Sequence, residues 1–125
     1  MQRSENENST RRTGTKYEDA AAAYLEGKNY RILQRNFRCR TGEVDLIARD
    51  GAFLVFVEVK YRRTAAHGSP LEAVGAKKQR RIAGAAMFYL SKFGISPDTP
   101  IRFDVLGLTG DGVVVHVENA FPLGI

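Results

Sequence analysis

Three ionisable side chains, Asp45, Glu58 and Lys60, interrupt two apolar runs near the middle of the 125-residue chain. Carboxylates are rare in such runs, because burying an ionised carboxylate without a partner costs several kcal/mol or forces its protonation. Two carboxylates beside an ammonium are therefore candidates for a cation site. Oxygen ligands that water can reach favour Mg²⁺ or Mn²⁺. The alternative is a salt bridge from Glu58 to Lys60 or to a nearby arginine at the end of a strand.

The runs that contain these residues predict a β-hairpin. Residues 44–60 form two stretches rich in strand-forming side chains, joined by Asp50-Gly51, a dipeptide typical of two-residue turns. The second stretch is almost wholly apolar before its acid. It is therefore predicted to be a central strand covered on both faces.

The register of this hairpin brings the acids to one face of the sheet. A two-residue Asp-Gly loop pairs Asp45 with Phe56 and Glu43 with Glu58. Glu58 then lies diagonal to Asp45, roughly 7–8 Å away between α-carbons, near enough for both carboxylates to bind one cation. Lys60 follows on the same face.

The other elements are predicted from hydrophobic spacing and from residues typical of helix ends and turns. Together with the hairpin they give the order α-β-β-β-α-β-β. They are a helix from Tyr17 to Gly27 with a capping box of Thr15 and Glu18, a strand from Tyr30 to Arg35, a long helix that begins at Ser69-Pro70-Leu71-Glu72 and ends near Gly94, and a second hairpin of residues 101–106 and 113–117.

Composition limits the class of protein. A hydrophobic content of 43% with 26% charged residues is typical of a folded domain. Residues 1–13 lack the apolar side chains needed to fold and are predicted to be a disordered tail, so that residues 14–125 form one domain. No apolar run approaches the ~20 residues of a membrane-spanning helix, and no signal peptide is recognisable, which predicts a cytoplasmic protein. The single cysteine, Cys39, excludes an internal disulfide framework and a thiolate zinc cluster.

The excess of positive over negative charge lies in one segment of the chain. Residues 74–92 carry five cations and no acid, whereas the rest of the chain holds 14 basic and 14 acidic residues. A local positive field suits a polyanion such as DNA or RNA; the alternative is an ordinary solvated helix face. The residues predicted to contact nucleic acid are Lys77, Lys78, Arg80 and Arg81 in this segment, and Arg38, Arg40, Arg62 and Arg63 beside the acidic hairpin.

Lys78 differs from the other cations of its helix. At 100° per residue it projects from within the apolar stripe, whereas Lys77 and Arg80 point away from it. A lysine on the core side near the start of a helix could reach the acidic edge and contact a phosphate. The alternative is that its stem packs on the core while its ammonium extends to water.

Three segments resemble the YraN family of small uncharacterised bacterial proteins: residues 42–48 (GEVDLIA), 56–62 (FVEVKYR) and 68–74 (GSPLEAV). Asp45, Glu58 and Lys60 also resemble the PD-(D/E)xK signature of restriction-endonuclease-like nucleases. The YraN family is related to these nucleases, which include archaeal Holliday junction resolvases.

The resemblance implies a restriction-endonuclease-like α/β fold, with a mixed central sheet of four or five strands flanked by helices. It implies that Asp45 and Glu58 bind Mg²⁺ (or Mn²⁺) and that Lys60 positions the attacking water. By the same resemblance Glu18, on the first helix, completes the catalytic and metal-binding set; its alternative role is to cap that helix. Glu43 is expected either to support the site or to hold a cationic neighbour.

The expected function is therefore metal-dependent hydrolysis of phosphodiester bonds in nucleic acid, with DNA favoured over RNA. Because the sequence contains no recognisable base-reading element, selection by substrate structure is favoured over selection by base sequence. Cleavage of a symmetric four-way junction would require two active sites, and hence a homodimer. The alternative function is a nucleic-acid-binding module that has the nuclease fold and does not hydrolyse its ligand.

Overall fold

The computed structural model describes residues 16–64 and 68–124. The predicted tail over residues 1–13 and Thr15 of the predicted capping box lie outside these ranges. Across the two ranges, no helix combines the length and the apolar character needed to cross a membrane. The helices are α1 (residues 16–27) and α2 (Ala76–Lys92), and the strands are β1 (Arg31–Cys39), β2 (Gly42–Asp50), β3 (Phe53–Arg62), β4 (Ile101–Thr109) and β5 (Val114–Val117).

The fold is a mixed α/β sandwich with the predicted element order. The five strands form one sheet in the order β1-β2-β3-β4-β5, antiparallel except for the parallel pair β3 and β4. One buried cluster packs α1 against one face of the sheet, and a second packs α2 against the other. β3 is the middle strand and is buried from Leu54 to Glu58, as the nearly continuous apolar run predicts.

The turn of the β2–β3 hairpin differs from the predicted one. Asp50 pairs with Phe53, so the two-residue loop is Gly51-Ala52 and not Asp50-Gly51. Gly51 has a φ of 59°, and Ala52 is outside the left-handed region. A glycine with positive φ at the first central position is typical of a type II′ turn, in which the aspartate becomes the last residue of the strand.

The predicted long second helix is two separate elements. Pro70–Ala73 form a 3₁₀ helix, and Ser69 caps it by accepting a hydrogen bond from the backbone N–H of Leu71 at 3.3 Å. α2 begins only after Gly75, which has extended backbone angles at its N-cap. The capping residues at 69–72 thus mark a real helical start, but the chain turns again before the main helix begins.

Glycines allow α2 to approach the β1–β2 turn closely. A Cβ atom on Gly42 would lie 1.8 Å from the carbonyl oxygen of Arg81, and one on Gly84 would lie 2.5 Å from that of Thr41. The Thr41 hydroxyl donates to the carbonyl of Gly84 at 3.0 Å in the same contact. The first half of α2 is therefore held against the start of β2, where the predicted acids lie.

A buried polar network crosses the sheet on the α1 side. Asp104 is fully buried and accepts from Arg102 Nε at 2.9 Å and from the backbone N–H of Asn119 at 3.0 Å, while its Oδ2 lies 2.8 Å from His116 Nε2. Burial by itself would raise the pKa of Asp104, but the hydrogen bonds from His116 and Arg102 outweigh it and lower the pKa to about 2. Arg102 also donates to Asp50 at 3.0 Å, so the network joins β4 to β2, β5 and the C-terminal segment.

Candidate functional site

The two predicted acids meet where β2 and β3 separate. The last paired residues of these strands are Leu46 and Val57, and continuing that register places Asp45 opposite Glu58. The predicted pairing of Asp45 with Phe56 is thus wrong by two residues, because the turn lies one residue later in the chain. The acids still lie close to each other, because the negative charge of Asp45 acts on Glu58. At the opening, the N–H of Val59 donates to Asp45 Oδ2 at 2.8 Å and fixes that carboxylate beside β3.

Glu58 is 3% exposed, and its two oxygens have different surroundings. Oε2 faces two ammonium groups, whereas Oε1 is buried and has no hydrogen-bond partner in the part of the chain that is described. Burial and, after it, the negative charge of Asp45 raise the pKa of Glu58 to about 7, against the opposing effects of Lys78 and Lys60. A further cation at Oε1 would satisfy the orphaned oxygen and offset the repulsion between the two acids.

Two lysines from different elements meet at Glu58 Oε2. Lys60 Nζ, on β3, lies 3.4 Å away, and Lys78 Nζ, on α2, lies 3.5 Å away. Lys78 also lies 3.4 Å from Glu43 Oε1, and Arg38 Nε lies 3.5 Å from Glu43 Oε2. Lys78 therefore reaches the acidic edge, as its place in the apolar stripe predicts, and Glu43 holds cationic neighbours. The contact of Lys78 with phosphate stays a prediction.

Glu18 lies on α1 and is held by β1. Its Oε2 accepts from the side-chain amide of Asn36 at 2.9 Å. Asn36 occupies the β1 position across from Asp45 and has a φ of 52°. In β2, Val44 packs with the α2 cluster and Leu46 with the α1 cluster, so the normal alternation of side chains is interrupted at this point. Both β1 and β2 are therefore irregular at this point. Asn36, which binds Glu18, lies between Glu18 and the acid pair.

The acids offer an incomplete set of metal ligands. Among residues 16–64 and 68–124, no three His, Cys, Asp or Glu side chains are grouped so that they could hold a metal ion. Asp45 and Glu58 supply oxygen donors, and Glu18 is bonded to Asn36. Mg²⁺ commonly binds one or two carboxylates and takes its remaining ligands from water and substrate phosphates. The pair therefore fits a divalent cation that is bound together with a phosphate, and the role of Glu18 as a ligand stays a prediction.

Comparison with known proteins identifies the family. The model of Uncharacterised protein family UPF0102 matches residues 17–108, which include both acids, both lysines and the strands and helix that carry them. The chain belongs to this family. UPF0102 is the YraN family, so the resemblance found in the sequence is confirmed.

Relatives from distant bacteria match most of this UPF0102 chain. A UPF0102 protein of Symbiobacterium thermophilum is 55% identical over 116 residues, which cover 90% of this chain and 98% of the relative. One of Geobacter sulfurreducens is 53% identical over 114 residues, covering 88% of each. One of Chromohalobacter salexigens is 50% identical over 107 residues, covering 86% of this chain and 85% of the relative. These matches cover 86–90% of the chain and so are not limited to one motif.

The basic residues of the UPF0102 chain that were expected to contact nucleic acid come from three places: the end of β1 and the turn after it, the end of β3 and the residue after it, and the first half of α2. In that order they are Arg38 and Arg40, then Arg62 and Arg63, then Lys77, Lys78, Arg80 and Arg81. All but Arg62 and Lys78, which are partly buried, are exposed. Of these residues, Lys78 faces Glu58 and Glu43, and Arg38 faces Glu43.

Sequence reasoning missed Asn36, which joins Glu18 to the sheet. An asparagine is unfavourable inside a strand but tolerates positive φ better than most residues, so its place between Arg35 and Phe37 was a usable signal for a kink. The contact of Glu58 with Lys78 depends on the packing of α2 against β2. No local pattern gives the distance between these two side chains.

Proposed function

We propose that this protein is a metal-dependent nuclease that hydrolyses phosphodiester bonds in DNA. One observation carries the proposal: Asp45 lies beside Glu58 where two strands separate, and a buried oxygen of Glu58 has no hydrogen-bond partner in the described chain. Two adjacent acids repel each other and a buried oxygen without a partner costs free energy, and a bound cation would offset both.

The donor set fits Mg²⁺ or Mn²⁺, which Asp45 and Glu58 Oε1 would hold. Both are hard oxygen donors, which these ions prefer over nitrogen or sulfur. A bound divalent cation would polarise a phosphate oxygen and lower the pKa of a nearby water molecule. Burial of Glu58 gives the site a low dielectric, so charges placed there interact more strongly than in water.

Lys60 is proposed to position the attacking water or to neutralise charge that develops on the phosphate. Its ammonium lies 3.4 Å from Glu58 Oε2, and the side chain is 29% exposed, so it can also donate to a ligand that enters from solvent. An ammonium has three donors, and the contact with Glu58 uses one of them. Preorganised donors of this kind act where negative charge grows in the transition state.

The cations around the site support a polyanionic substrate. They would contact the phosphate backbone without reading base sequence, so we propose selection by DNA structure. The resemblance of Asp45, Glu58 and Lys60 to the signature of nucleases that include junction resolvases is our reason for proposing DNA and not RNA. We also propose a cytoplasmic location, where DNA is accessible. On a symmetric junction, two copies of the chain would provide the two sites.

The cleavage assay uses labelled single-stranded, duplex, flap and four-way DNA, with the corresponding RNA strands, in Mn²⁺ or Mg²⁺. We expect metal-dependent cuts in a branched DNA. The cuts should be lost in Asp45→Asn and retained in Glu72→Gln, which changes an exposed acid on the 3₁₀ helix.

A second experiment needs no turnover: Mg²⁺ should raise the Tm of the protein, because the ion binds the native state preferentially. Glu58→Gln should abolish that rise, and an unchanged rise would refute Glu58 as a ligand.

A second function, a nucleic-acid-binding module without hydrolysis, is favoured by one observation. Glu18, the third acid that the nuclease resemblance implies, is bonded to Asn36 and not grouped with the acid pair. Binding to the same panel of nucleic acids, with no cut that depends on metal and on Asp45, would identify the protein as this module.

A further inference from the structure

One ammonium group at the acidic edge lies between two carboxylates. Lys78 Nζ is 3.4 Å from Glu43 Oε1 and 3.5 Å from Glu58 Oε2. A firm hydrogen bond from nitrogen to oxygen spans about 2.7–3.2 Å, so Lys78 is not firmly bonded to either acid. Its flexible four-carbon stem lets the ammonium move between the two carboxylates while α2 stays in place. Lys78 can therefore change its partner by rotation of its own side chain.

The two acids give Lys78 different surroundings. The side chain of Glu58 is 4% exposed, and Lys60 is a second cation at the same oxygen, 3.4 Å away. The side chain of Glu43 is 37% exposed, and its other oxygen faces Arg38, whose side chain is 76% exposed. An ion pair as open to water as that of Arg38 contributes little, because solvent screens it. The charge of Glu43 thus remains available to Lys78.

The charges of this edge are balanced before a metal ion binds. With every group ionised, acids and cations are equal in number: Glu43, Asp45 and Glu58 against Arg38, Lys60 and Lys78. A divalent cation at the acid pair adds two positive charges beside the two ammonium groups at Glu58 Oε2. Like charges repel more strongly at a buried site than in water. Binding of the metal ion therefore favours departure of one ammonium from Glu58.

Lys78 is the ammonium that has a second place to go. Among residues 16–64 and 68–124, the ion pair of Lys60 is with Glu58 alone. Lys78 already has a second acid, Glu43, within 3.4 Å. Movement of Lys60 away from Glu58 would cost it its carboxylate partner, whereas movement of Lys78 exchanges one carboxylate for another.

We propose that Lys78 is a displaceable cation: a divalent ion at Asp45 and Glu58 displaces its ammonium from Glu58 to Glu43. Glu43 is then a positioning residue, because it acts on the site by receiving Lys78 and keeping the ammonium at the acidic edge. The inference rests on the proposed function and gives the regulation of the same site by its own lysine. The retained ammonium stays available to a DNA phosphate that binds together with the metal ion.

The test is a double-mutant cycle on Mn²⁺ affinity, measured without DNA and without turnover. Calorimetric titration gives the Kd of Mn²⁺ for the wild type, Glu43→Gln, Lys78→Met and the variant with both changes. Lys78→Met should tighten Mn²⁺ binding about tenfold, because it removes a competing ammonium. Glu43→Gln should weaken binding about tenfold when Lys78 is present, since the ammonium then has no second acid, and by about twofold or less beside Lys78→Met.

Glu72→Gln is the matched control. It removes the same charge from an exposed acid that forms no ion pair in the described ranges, so it should leave the Kd unchanged in both backgrounds. Lys78→Gln is a second neutral replacement, in case methionine alters the packing of α2. Circular dichroism checks that all variants are folded.

The size of the Glu43→Gln effect in the two backgrounds decides the matter. Charges with fixed positions act on the metal ion independently, so Glu43→Gln would then weaken Mn²⁺ binding equally with and without Lys78. That result would overturn the displacement of Lys78. A Lys78→Met variant that bound Mn²⁺ no more tightly than the wild type would overturn it as well.

The outcomes separate this inference from the proposed function. Equal effects in both backgrounds, combined with metal-dependent cleavage of DNA, would remove the displacement and leave the nuclease intact. A Lys78-dependent effect of Glu43→Gln, without any cleavage, would support the displacement and remove the nuclease. If no Mn²⁺ bound, or if Glu58→Gln left its binding unchanged, the inference would be wrong, because no cation would occupy the acid pair.

Discussion

At the scale of single residues, Glu58 decides how the site responds to protons and cations. It is buried beside Asp45, and its Oε2 already faces Lys60 and Lys78. Either a proton or a metal ion can offset the negative charge that Glu58 and Asp45 retain beside these lysines. The two should compete, so loading of the site by a divalent cation should weaken as the pH falls below neutrality.

The raised pKa of Glu58 predicts how stability without metal depends on pH. The pKa is about 7 in the folded protein against 4.5 in the unfolded chain, so between these values the folded state binds a proton that the unfolded state does not. The contribution of Glu58 to the free energy of unfolding is therefore complete below about pH 4.5. It falls by a few kcal/mol as the pH rises toward 7. Asp104, with a pKa of about 2, titrates below this window.

Urea unfolding in EDTA at several pH values between 4.5 and 7.5 measures this loss. Glu58→Gln should flatten the profile in that range, because glutamine has no proton to lose. The exposed Glu72→Gln should leave the slope unchanged. A wild-type profile that rises with pH across the window would contradict the assignment of the slope to Glu58.

Lys78 and Lys77 give a matched pair on one helix. Lys78 contacts Glu58 and Glu43, whereas Lys77 is exposed. Lys78→Ala should weaken binding or cleavage of DNA about tenfold, in line with the loss of one partly buried charged contact, and Lys77→Ala should change it by twofold or less. Equal effects of the two variants, measured by titration at fixed salt, would indicate that Lys78 only packs on the core.

At the scale of the elements, the sequence predicts the type and order of both α-helices and all five strands of the described chain, because the apolar periodicity and the turn residues agree. The errors are at boundaries. Asp50-Gly51 is typical of a two-residue turn, but the observed loop is Gly51-Ala52, in which Gly51 takes the positive φ of a different turn type. This choice of loop shifts the pairing of β2 with β3 by two residues. The cap at Ser69 belongs to a short 3₁₀ helix, because Gly75 lets the chain turn again before α2.

The close approach of α2 to the β1–β2 turn predicts an unusual effect of alanine. In most helices Gly→Ala is stabilising, but at Gly84 the new Cβ would lie 2.5 Å from the Thr41 carbonyl. We expect Gly84→Ala to destabilise the protein by about 1–3 kcal/mol, as overpacking does. Gly27, at the end of α1, has open space around its Cβ position, so Gly27→Ala should be neutral or stabilising by up to about 1 kcal/mol.

Chemical denaturation of the two glycine variants checks this difference directly. DNA binding by Gly84→Ala provides a second readout, because displacement of α2 would also displace Lys78 from the acids. Stabilisation by both substitutions to a similar extent would show that the helix can move away from the turn at little cost.

At the scale of the whole molecule, the charged groups form two sets with different surroundings. The first set, the acids Asp45 and Glu58 with their lysines, lies where β2 and β3 separate, and Glu58 Oε1 in it has no hydrogen-bond partner in the described chain. The network of Arg102, Asp104 and His116 is buried and hydrogen-bonded on several sides. Both sets interrupt apolar strands. The sequence pattern alone therefore cannot distinguish an acid pair that lacks hydrogen-bond partners from an acid whose hydrogen bonds are complete. Their different surroundings depend on which distant side chains reach each acid.

The satisfied network predicts a large effect on stability when it is broken. Arg102→Met removes the main cationic partner of fully buried Asp104 and should destabilise the protein by about 3–5 kcal/mol, measured by urea denaturation. Arg80→Met, on the exposed side of α2, is the control and should change stability by less than about 0.5 kcal/mol. A loss below about 1 kcal/mol for Arg102→Met would mean that His116 and Asn119 suffice to hold the aspartate.

The parallel pairing of β3 with β4 has a consequence for synthesis on the ribosome. The first three strands follow one another and pair locally, so they can form as soon as they emerge. β4 can join them only after α2 has crossed one face of the sheet, because parallel neighbours need a long connection. Lys78 arrives with that crossover. The acids therefore exist in the nascent chain before the lysine of α2 that faces Glu58, so the complete set of charged groups is assembled late in synthesis.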